Sequence, residues 1–487
     1  MFQWARNLFG GGRPAVPAPA PARRPTVQAR YDNALNTDEN KRNWWMTDVL
    51  SAKAAHNYQT RRNLRTRSRY EVANNPYLFG ITRSNADDLV DRGPTLKCML
   101  PSAADNRQIE AAWREWSHEV ALVEKIRTIK LARTVDGEGF WILKTVEDLK
   151  GPVKLYPLDV ETDQFTSPAP KNLNELWVDG LELHPVTGRP TAYHALRHHP
   201  GDLFFPELNP LKTDRILARY VVQWLYKFRP GQVRGIPVFT PSLDEFTELR
   251  AFRKAILAKV QVAANLTAVL EMPAPANAED NTDAEPFDKL PIDNGMMVTT
   301  PGGAKLAQFA SSEPSTTYEM FQEKCLGEAC RPLNYPLNLA LGTSQKFNFS
   351  SARLDHLNYR QSLTVERSDC EVVVLDPTFA EFIAEASRVP GLLPKSVRSI
   401  ADVPHEWHWP GFPMLDTTAE TNADLARIAG GTLTWREFWA SRGYDWIQVM
   451  EQQAAEKKEI ERLNLTFGEP MKKTERIDDG APAAAAA

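Results

Sequence analysis

Apolar side chains recur at three- and four-residue steps through Phe246, Leu249, Phe252, Ile256, Val260, Ala263 and Leu270, the spacing of one face of a long α-helix. Ser242 stands three residues before Glu245, which reads as a capping box, and Asp244, Glu245 and Glu248 crowd the positive end of the helix dipole. At ~1.5 Å per residue the helix would be on the order of 40 Å long, and Pro273 closes it. Upstream, residues 44–70 read as helical. Asn74-Asn75-Pro76 stops that run, with Asn75 capping the next helix and Pro76 at its first position. A short strand follows over 95–100, and Ile109, Trp113, Trp116, Val120 and Val123 predict a single helix over 109–133. Residues 139–228 then switch to strand-like segments at 139–146, 153–158, 175–183, 191–197 and 216–226, separated by Pro and Gly.

Beyond the long helix, a short strand pair is expected over 289–310 around Pro301-Gly302-Gly303. A second capping box, Thr316 with Glu319, opens a helix that stops at Arg331 before Pro332. Another helix starts near Ser350 and runs past Val365, and Pro377 bends or breaks it. Thr434 with Glu437, and Asp445 with Gln448, open the last two helices. Helices and strands in this order give an α+β fold class.

At 487 residues the chain is long enough for two to four domains. Residues 10–30, GGGRPAVPAPAPARRPTVQAR, read as a flexible or extended basic arm, and 481–487 as a loose tail. Net charge is −4, which argues against a protein whose main work is gripping nucleic acid. The charge is uneven: residues 1–70 hold 13 Lys/Arg and 4 Asp/Glu, a local +9, leaving −13 elsewhere. Four scattered cysteines without CxxC spacing point to neither a disulfide framework nor a zinc site. The amino terminus lacks the apolar core of a signal peptide, and no apolar run reaches the ~18–20 residues of a membrane span, so the expectation is a cytosolic site of synthesis and no membrane partner.

Catalytic signatures are missing. There is no GxxxxGK[ST], GxSxG or EF-hand loop, and His118-Glu119 and His405-Glu406 both lack the second His of HExxH. Asp136-Gly137-Glu138-Gly139 reads as a hairpin or bend before a strand. His198-His199 and His405 with His408 lack the partners of a metal site. Trp407, Trp409 and Phe412 read as a packed loop or subunit contact rather than a nucleobase platform. For Arg61, Arg62, Arg65, Arg67 and Arg69 a solvated helix face stands slightly ahead of a contact with DNA phosphate or an acidic partner. No cofactor and no enzymatic activity are expected.

Five segments, in this order, resemble the lambda-family phage portal proteins: Asn74-Asn75-Pro76-Tyr77 after the Arg-rich helix; LWVDGLELHPVTGRPTAYHALRHHPGD at 176–202; FRPGQVRGIPVFTPSLDEF at 228–246; FNFSSARLDHLNYR at 347–360; and WHWPGFPMLD at 407–416, followed by Gly430-Gly431-Thr432-Leu433-Thr434 and Gly443-Tyr444-Asp445. Phe349 stands where a tyrosine is expected, and Thr417-Thr418 where a proline is.

The resemblance implies a portal-like subunit with a mixed wing, a helical stem, a small clip and a helical crown, forming a ring, by analogy a dodecamer. The implied division is an arm at 1–30, wing at 31–240, stem helix at 241–271, clip at 272–316, returning stem helix at 317–331, wing with tunnel loop at 332–419, crown at 420–465 and tail at 466–487. Thr343, Ser344, Gln345, Lys346, Phe347 and Asn348 are the candidate tunnel loop, and Arg250, Arg253, Lys254 and Lys259 the candidate channel charges of the stem. The implied partners are double-stranded DNA held without sequence specificity, the terminase large subunit, head-tail adaptors, and the major capsid or scaffolding protein. The implied place is one capsid vertex of the virion, reached from the host cytoplasm during assembly. A head-tail adaptor or minor capsid protein is the alternative, and a terminase-type packaging enzyme the weaker one.

Overall fold

The structure is a computed structural model describing residues 37–166, 177–202, 212–265, 269–271, 305–307, 316–413 and 417–465. The expected arm at 1–30, the tail at 466–487 and nearly all of 272–316 lie outside the described residues. The chain divides into two units, residues 1–51 and 52–487. The first holds, among its described residues, the short helix α1 (Asp38–Asn43), whose Thr37 side chain accepts from the Asn40 N–H.

The larger unit begins with α2 (Ala52–Ala55), α3 (Tyr58–Asn74) and α4 (Pro76–Val90). Asn57 caps α3, and Asn75 caps α4 by accepting from the N–H groups of Tyr77 and Leu78, with Pro76 in the first turn as the sequence implied. Strand β1 (Thr95–Cys98) follows, then α5 (Ala103–Glu119) and α6 (Leu122–Val135). The single helix expected over 109–133 is thus two. Ala121 adopts φ 52°, a left-handed conformation, and redirects the chain so that Trp113 and Trp116 of α5 and Ile126 and Ile129 of α6 all reach the core. A non-glycine residue pays sterically there. Ala121→Gly is expected to raise stability by about 0.5–1 kcal/mol, measured as a higher denaturant midpoint at unchanged slope.

Strand β2 (Glu138–Thr145) is the centre of a three-stranded antiparallel sheet between β3 (Leu155–Val160) and β8 (Val221–Leu225), with Phe140 opposite Val160 on one side and Gln223 on the other. A second antiparallel sheet runs β4 (Trp177–Val178), β5 (Leu181–Leu183), β6 (Pro190–Leu196) and β7 (Thr213–Leu217). The strand expected over 216–226 is therefore cut in two: a 3-10 turn at Ala218–Tyr220 carries the chain from one sheet to the other. Phe140, Phe165, Leu181 and Tyr193 form a core between the sheets, Phe140 and Phe165 stacking at 4.0 Å.

The chain enters α7 (Leu243–Asn265) through a 3-10 turn, Thr240–Ser242. Of the strand pair expected over 289–310, only β10 (Lys305–Ala307) is described, and it pairs with β9 (Val269–Glu271). Next come α8 (Thr316–Ala329), α9 (Leu337–Leu341), α10 (Phe349–Cys370) and α11 (Asp376–Ala386). Pro377 does not break this run: the five residues Glu371–Leu375 just before it widen into a π-turn that joins α10 to α11. Pro377 has no N–H to give and its ring crowds a preceding carbonyl, and the wider turn accommodates both. Strand β11 (His405–His408) returns to pair with β1. Trp407 thereby joins Trp113, Trp116, Phe379 and Phe382 in the main core, where Trp113 meets Phe379 and Phe382 edge-on at 5.2 and 5.1 Å. The chain closes with α12 (Thr417–Ala429), α13 (Trp435–Ala440) and α14 (Trp446–Leu463). The Thr434–Glu437 capping box and the Asp445 cap are both present.

Candidate functional site

The loop 342–348 joins α9 to α10, as the sequence implied. Gly342, at φ 68°, closes α9, and Asn348 caps α10 by accepting from the Ser350 N–H. Thr343, Ser344, Gln345, Lys346 and Asn348 are exposed and Phe347 is half-buried. The loop is tethered at its base, where the Thr343 N–H donates to the Asn338 carbonyl at 3.2 Å. Lys346 reaches α8 and pairs with Glu319 and, at 3.2 Å, with Glu323. Its charge is already matched by two carboxylates, which raise its pKa.

Helices α7 and α8 pack through Phe252, stacked on Tyr318 at 5.7 Å and tilted against Phe321 at 4.6 Å. The four stem cations separate. Arg250 pairs with Glu71 of α3 at 2.6 Å and lies over the Tyr70 ring, and Arg253 lies 6.0 Å from the Tyr77 ring centroid. Arg250 thereby ties α7 to α3, and Arg253 lies beside α4. Lys254 and Lys259 are exposed.

The Arg-rich helix differs most from its expectation. Arg61 and Arg65 are each 2% exposed, so neither a solvated face nor a surface contact describes them. Arg62 and Arg67 do face solvent, and Arg69 is half-buried. Arg61, Arg65 and Arg69 are spaced one turn apart and point into an ionic hub. Its centre is Glu138, completely buried at the start of β2. Glu138 receives Arg61 at 3.3 Å, the Arg234 Nε at 2.8 Å, the Gly235 N–H at 3.0 Å and the Gln223 amide at 2.9 Å. Arg61 also pairs with Asp179, Arg65 with Asp163, and Arg69 with Asp136 at 2.6 Å. Arg234 further donates to the carbonyls of Asp179, Phe165 and Thr162.

The Asp136–Gly139 turn is thus a bend, as read, but also the anchor of this hub. Burial alone would raise the Glu138 carboxyl; Arg234 and Arg61 outweigh it and hold the group below the ordinary glutamate value. A backbone contact completes the joint. Gly137, at φ 92°, lies against the Ile236 backbone, and a Cβ on Gly235 would overlap the Gly137 carbonyl. The segment 234–236, which leads into α7, is therefore fixed to the start of β2. The sequence signal for this hub is the arginines at i, i+4 and i+8 of α3 together with a carboxylate opening an apolar strand.

A second buried network ties α6 to α10. Lys130, fully buried, pairs with Glu366, which also accepts from Tyr226 at 2.5 Å, while Arg133 stacks 3.6 Å from the Tyr226 ring centroid.

His198-His199 contributes one member, His199, to a group with Glu161 and Asp163, whose ligand atoms lie within 4.8 Å of one another. Arg69 sits 3.1 Å from Glu161 and 3.0 Å from Asp163 and supplies the positive charge there. His405 faces Asp376 at 3.4 Å, and His408 faces Glu406 at 3.6 Å. Trp407 and Trp409 are packed as expected, 9% and 8% exposed, with their indole N–H groups donating to Asp376 and Glu371. Among the described residues no helix is long and apolar enough to cross a membrane.

The chain is 23% identical over 283 residues to a probable portal protein of Halomonas phage phiHAP-1. That match covers 57% of this chain and 54% of the relative, so the chain spans about half the length of the curated relative it matches. Among solved structures, the neck of a native GTA particle computed with C12 symmetry is 14% identical, covering 78% of this chain and 92% of its own, with a TM-score of 0.46. An HK97 family phage portal protein from Corynebacterium diphtheriae is 13% identical, covering 72% and 96%, with a TM-score of 0.28. The family described as phage portal protein, lambda family, matches residues 38–367. That stretch runs from α1 through the ionic hub, α7, α8 and the loop 342–348 into α10, and on it the chain belongs to the lambda family of phage portal proteins.

Proposed function

We propose that this chain is the subunit of a closed ring, a dodecamer by family analogy, through which double-stranded DNA enters and leaves the capsid at one vertex. The observation that carries the reading is the family membership over residues 38–367. Apolar side chains left in water on the long helices support it: Leu257 on α7, Met320 and Phe321 on α8, and Leu354, Leu357 and Val365 on α10 are 41–64% exposed. A single chain gains nothing from presenting them, whereas a ring of heterologous contacts buries two different faces of every copy. In this reading α7 and α8 form the stem, the sheets and α10–α11 the wing, and α12–α14 the crown. The subunit works by geometry, without a cofactor or a catalysed reaction. Terminase large subunit, head-tail adaptors and the capsid or scaffolding protein dock on its outer surfaces. Its place is the virion vertex, after assembly in the host cytoplasm.

A net charge of −4 suits passage more than binding, because a wall that neutralised many phosphates would release counterions and hold the duplex. Electron microscopy of the purified protein tests the reading: rings with a central hole are expected, and a chain that stays monomeric at every concentration and joins no capsid vertex overturns it.

The loop 342–348 is the proposed tunnel loop. Lys346→Glu would place a third carboxylate beside Glu319 and Glu323 and release the loop from α8. Normal ring assembly with a severalfold loss of packaged or retained DNA is expected, measured as protected genome per particle. Normal filling would remove the loop from the DNA path.

A further inference from the structure

One face of α5 carries Glu110, Trp113, Arg114, Ser117 and His118 at three- and four-residue steps. The left-handed turn at Ala121 then swings α6 off the line of α5. The angle between the two helices holds an open cavity of about 570 Å³, with β1 along one side and Gln448 of α14 at its edge. Its floor is apolar: Leu96, Trp113 and Leu122, all buried, line it, and Val123 is half-buried beside them.

The charges around this floor are unevenly matched. Lys97 pairs with Glu110 at 3.0 Å and Asp445 at 2.9 Å, and Glu110 also accepts from the Cys98 N–H. Arg127 pairs with Asp87 at 2.8 Å and donates to the Asp91 carbonyl. Glu124 stands in the first turn of α6, which has no side-chain cap, and answers the positive end of that helix. Arg92 and Arg114 are exposed and have no ion-pair or hydrogen-bond partner among the described residues. Their guanidinium charges are thus left over at the mouth of an apolar cavity. A lone carboxylate or phosphate would meet the arginines and gain nothing from the floor, and duplex DNA would bring phosphates but no side group to fill it. An uncharged apolar ligand would leave the arginines unused. A segment with acids on either side of a leucine or aromatic side chain uses both features, the apolar group as a buried anchor and each carboxylate in a charge-assisted pair.

We propose that this cavity docks an acidic segment of a partner protein, with one large apolar side chain against Leu96, Trp113 and Leu122 and flanking carboxylates on Arg92 and Arg114. Every residue involved lies in the larger unit, so the assignment stands whether or not copies close into a ring.

Fluorescence anisotropy with the purified full-length chain tests it. The probe is a fluorescein-labelled pool of short synthetic peptides in which Asp or Glu flanks a mixed pair of Leu, Phe or Trp. Its counterparts carry Ser in place of the apolar pair, or Lys in place of the acids. Saturable binding of the first pool alone is expected. Arg92→Glu with Arg114→Glu changes exposed positions only, and an unchanged melting temperature would show that the fold is kept. That variant should bind the acidic pool at least about tenfold more weakly and reverse the preference to the Lys pool. Thr95→Trp, at an exposed strand position that lines the cavity, should weaken the acidic pool severalfold by filling the space while both arginines stay in place. No binding, equal binding of the pools, or wild-type binding by either variant overturns the proposal. Displacement by duplex DNA as readily as by unlabelled peptide overturns it as well, because the arginines would then serve phosphate.

Discussion

Replacing Glu138 with alanine is expected to lower folding stability by roughly 3–5 kcal/mol, because it leaves buried Arg234 with carbonyl acceptors alone and takes one of two carboxylates from buried Arg61. Arg61 and Arg234 are each 2% exposed, and Glu138 is the carboxylate they share. Breaking a buried pair is costly even where the intact pair adds little, since the remaining charges stay out of water without the carboxylate they shared. The loss should appear as a lower denaturant midpoint, with Glu138→Gln falling between alanine and wild type. The acid limb of stability offers a second check. Glu138 is held below its unfolded value, so its contribution is complete above the ordinary glutamate pKa of about 4.3 and disappears as pH falls through the depressed value. Glu366, held down against its burial by Lys130 and Arg133, behaves the same way. Wild-type stability should therefore fall below about pH 4, and Glu138→Ala should show a shallower fall from its lower start. An unchanged acid slope in the variant would falsify the assignment of Glu138 as the hub.

Gly235→Ala is expected to be at least as damaging. The added Cβ would overlap the Gly137 carbonyl and come within 3.0 Å of the Glu138 Cβ. The first of these is backbone, so no rotamer change relieves it. Either the segment leading into α7 lifts from β2, breaking the Gly235 N–H bond to Glu138, or β2 loses the start of its pairing with β8. A loss on the order of 3 kcal/mol or more is expected, seen as insoluble expression or a strongly lowered melting temperature. Gly80→Ala is the control: it lies within α4 with nothing inside 4 Å of the added atom, and should gain about 0.5–1 kcal/mol. If the two variants melted alike, close backbone approach would not be what requires glycine at 235.

Both variants act at the joint between the sheets and α7, a joint made by residues far apart in the chain. Arg61, Asp136, Glu138, Asp163, Asp179 and Arg234 come from a helix, a turn, a strand end and three loops. The Arg-rich helix was legible as a helix, but its burial was not. An arginine one turn from another reads the same on a wet face as on one that meets three acidic loops. The candidate loop 342–348 was legible because Gly342 and Asn348 carry local end signals for α9 and α10, whereas the pairing of Lys346 depends on where α8 lies.

The sequence by itself determined what short-range chemistry controls. The Asn75-Pro76 start of α4, the Thr434–Glu437 box, the Asp445 cap and the strand character of 139–146 each depend on neighbours within a turn or on a short apolar run within one segment. Tertiary structure alone decided the break at Ala121, the crossing between sheets at Ala218–Tyr220 and the pairing of β1 with β11. It also decided which arginines are sealed inside. Those outcomes turn on how distant segments share one interior, where a charge is tolerated only beside its partner and a strand pairs with whatever edge packing brings to it.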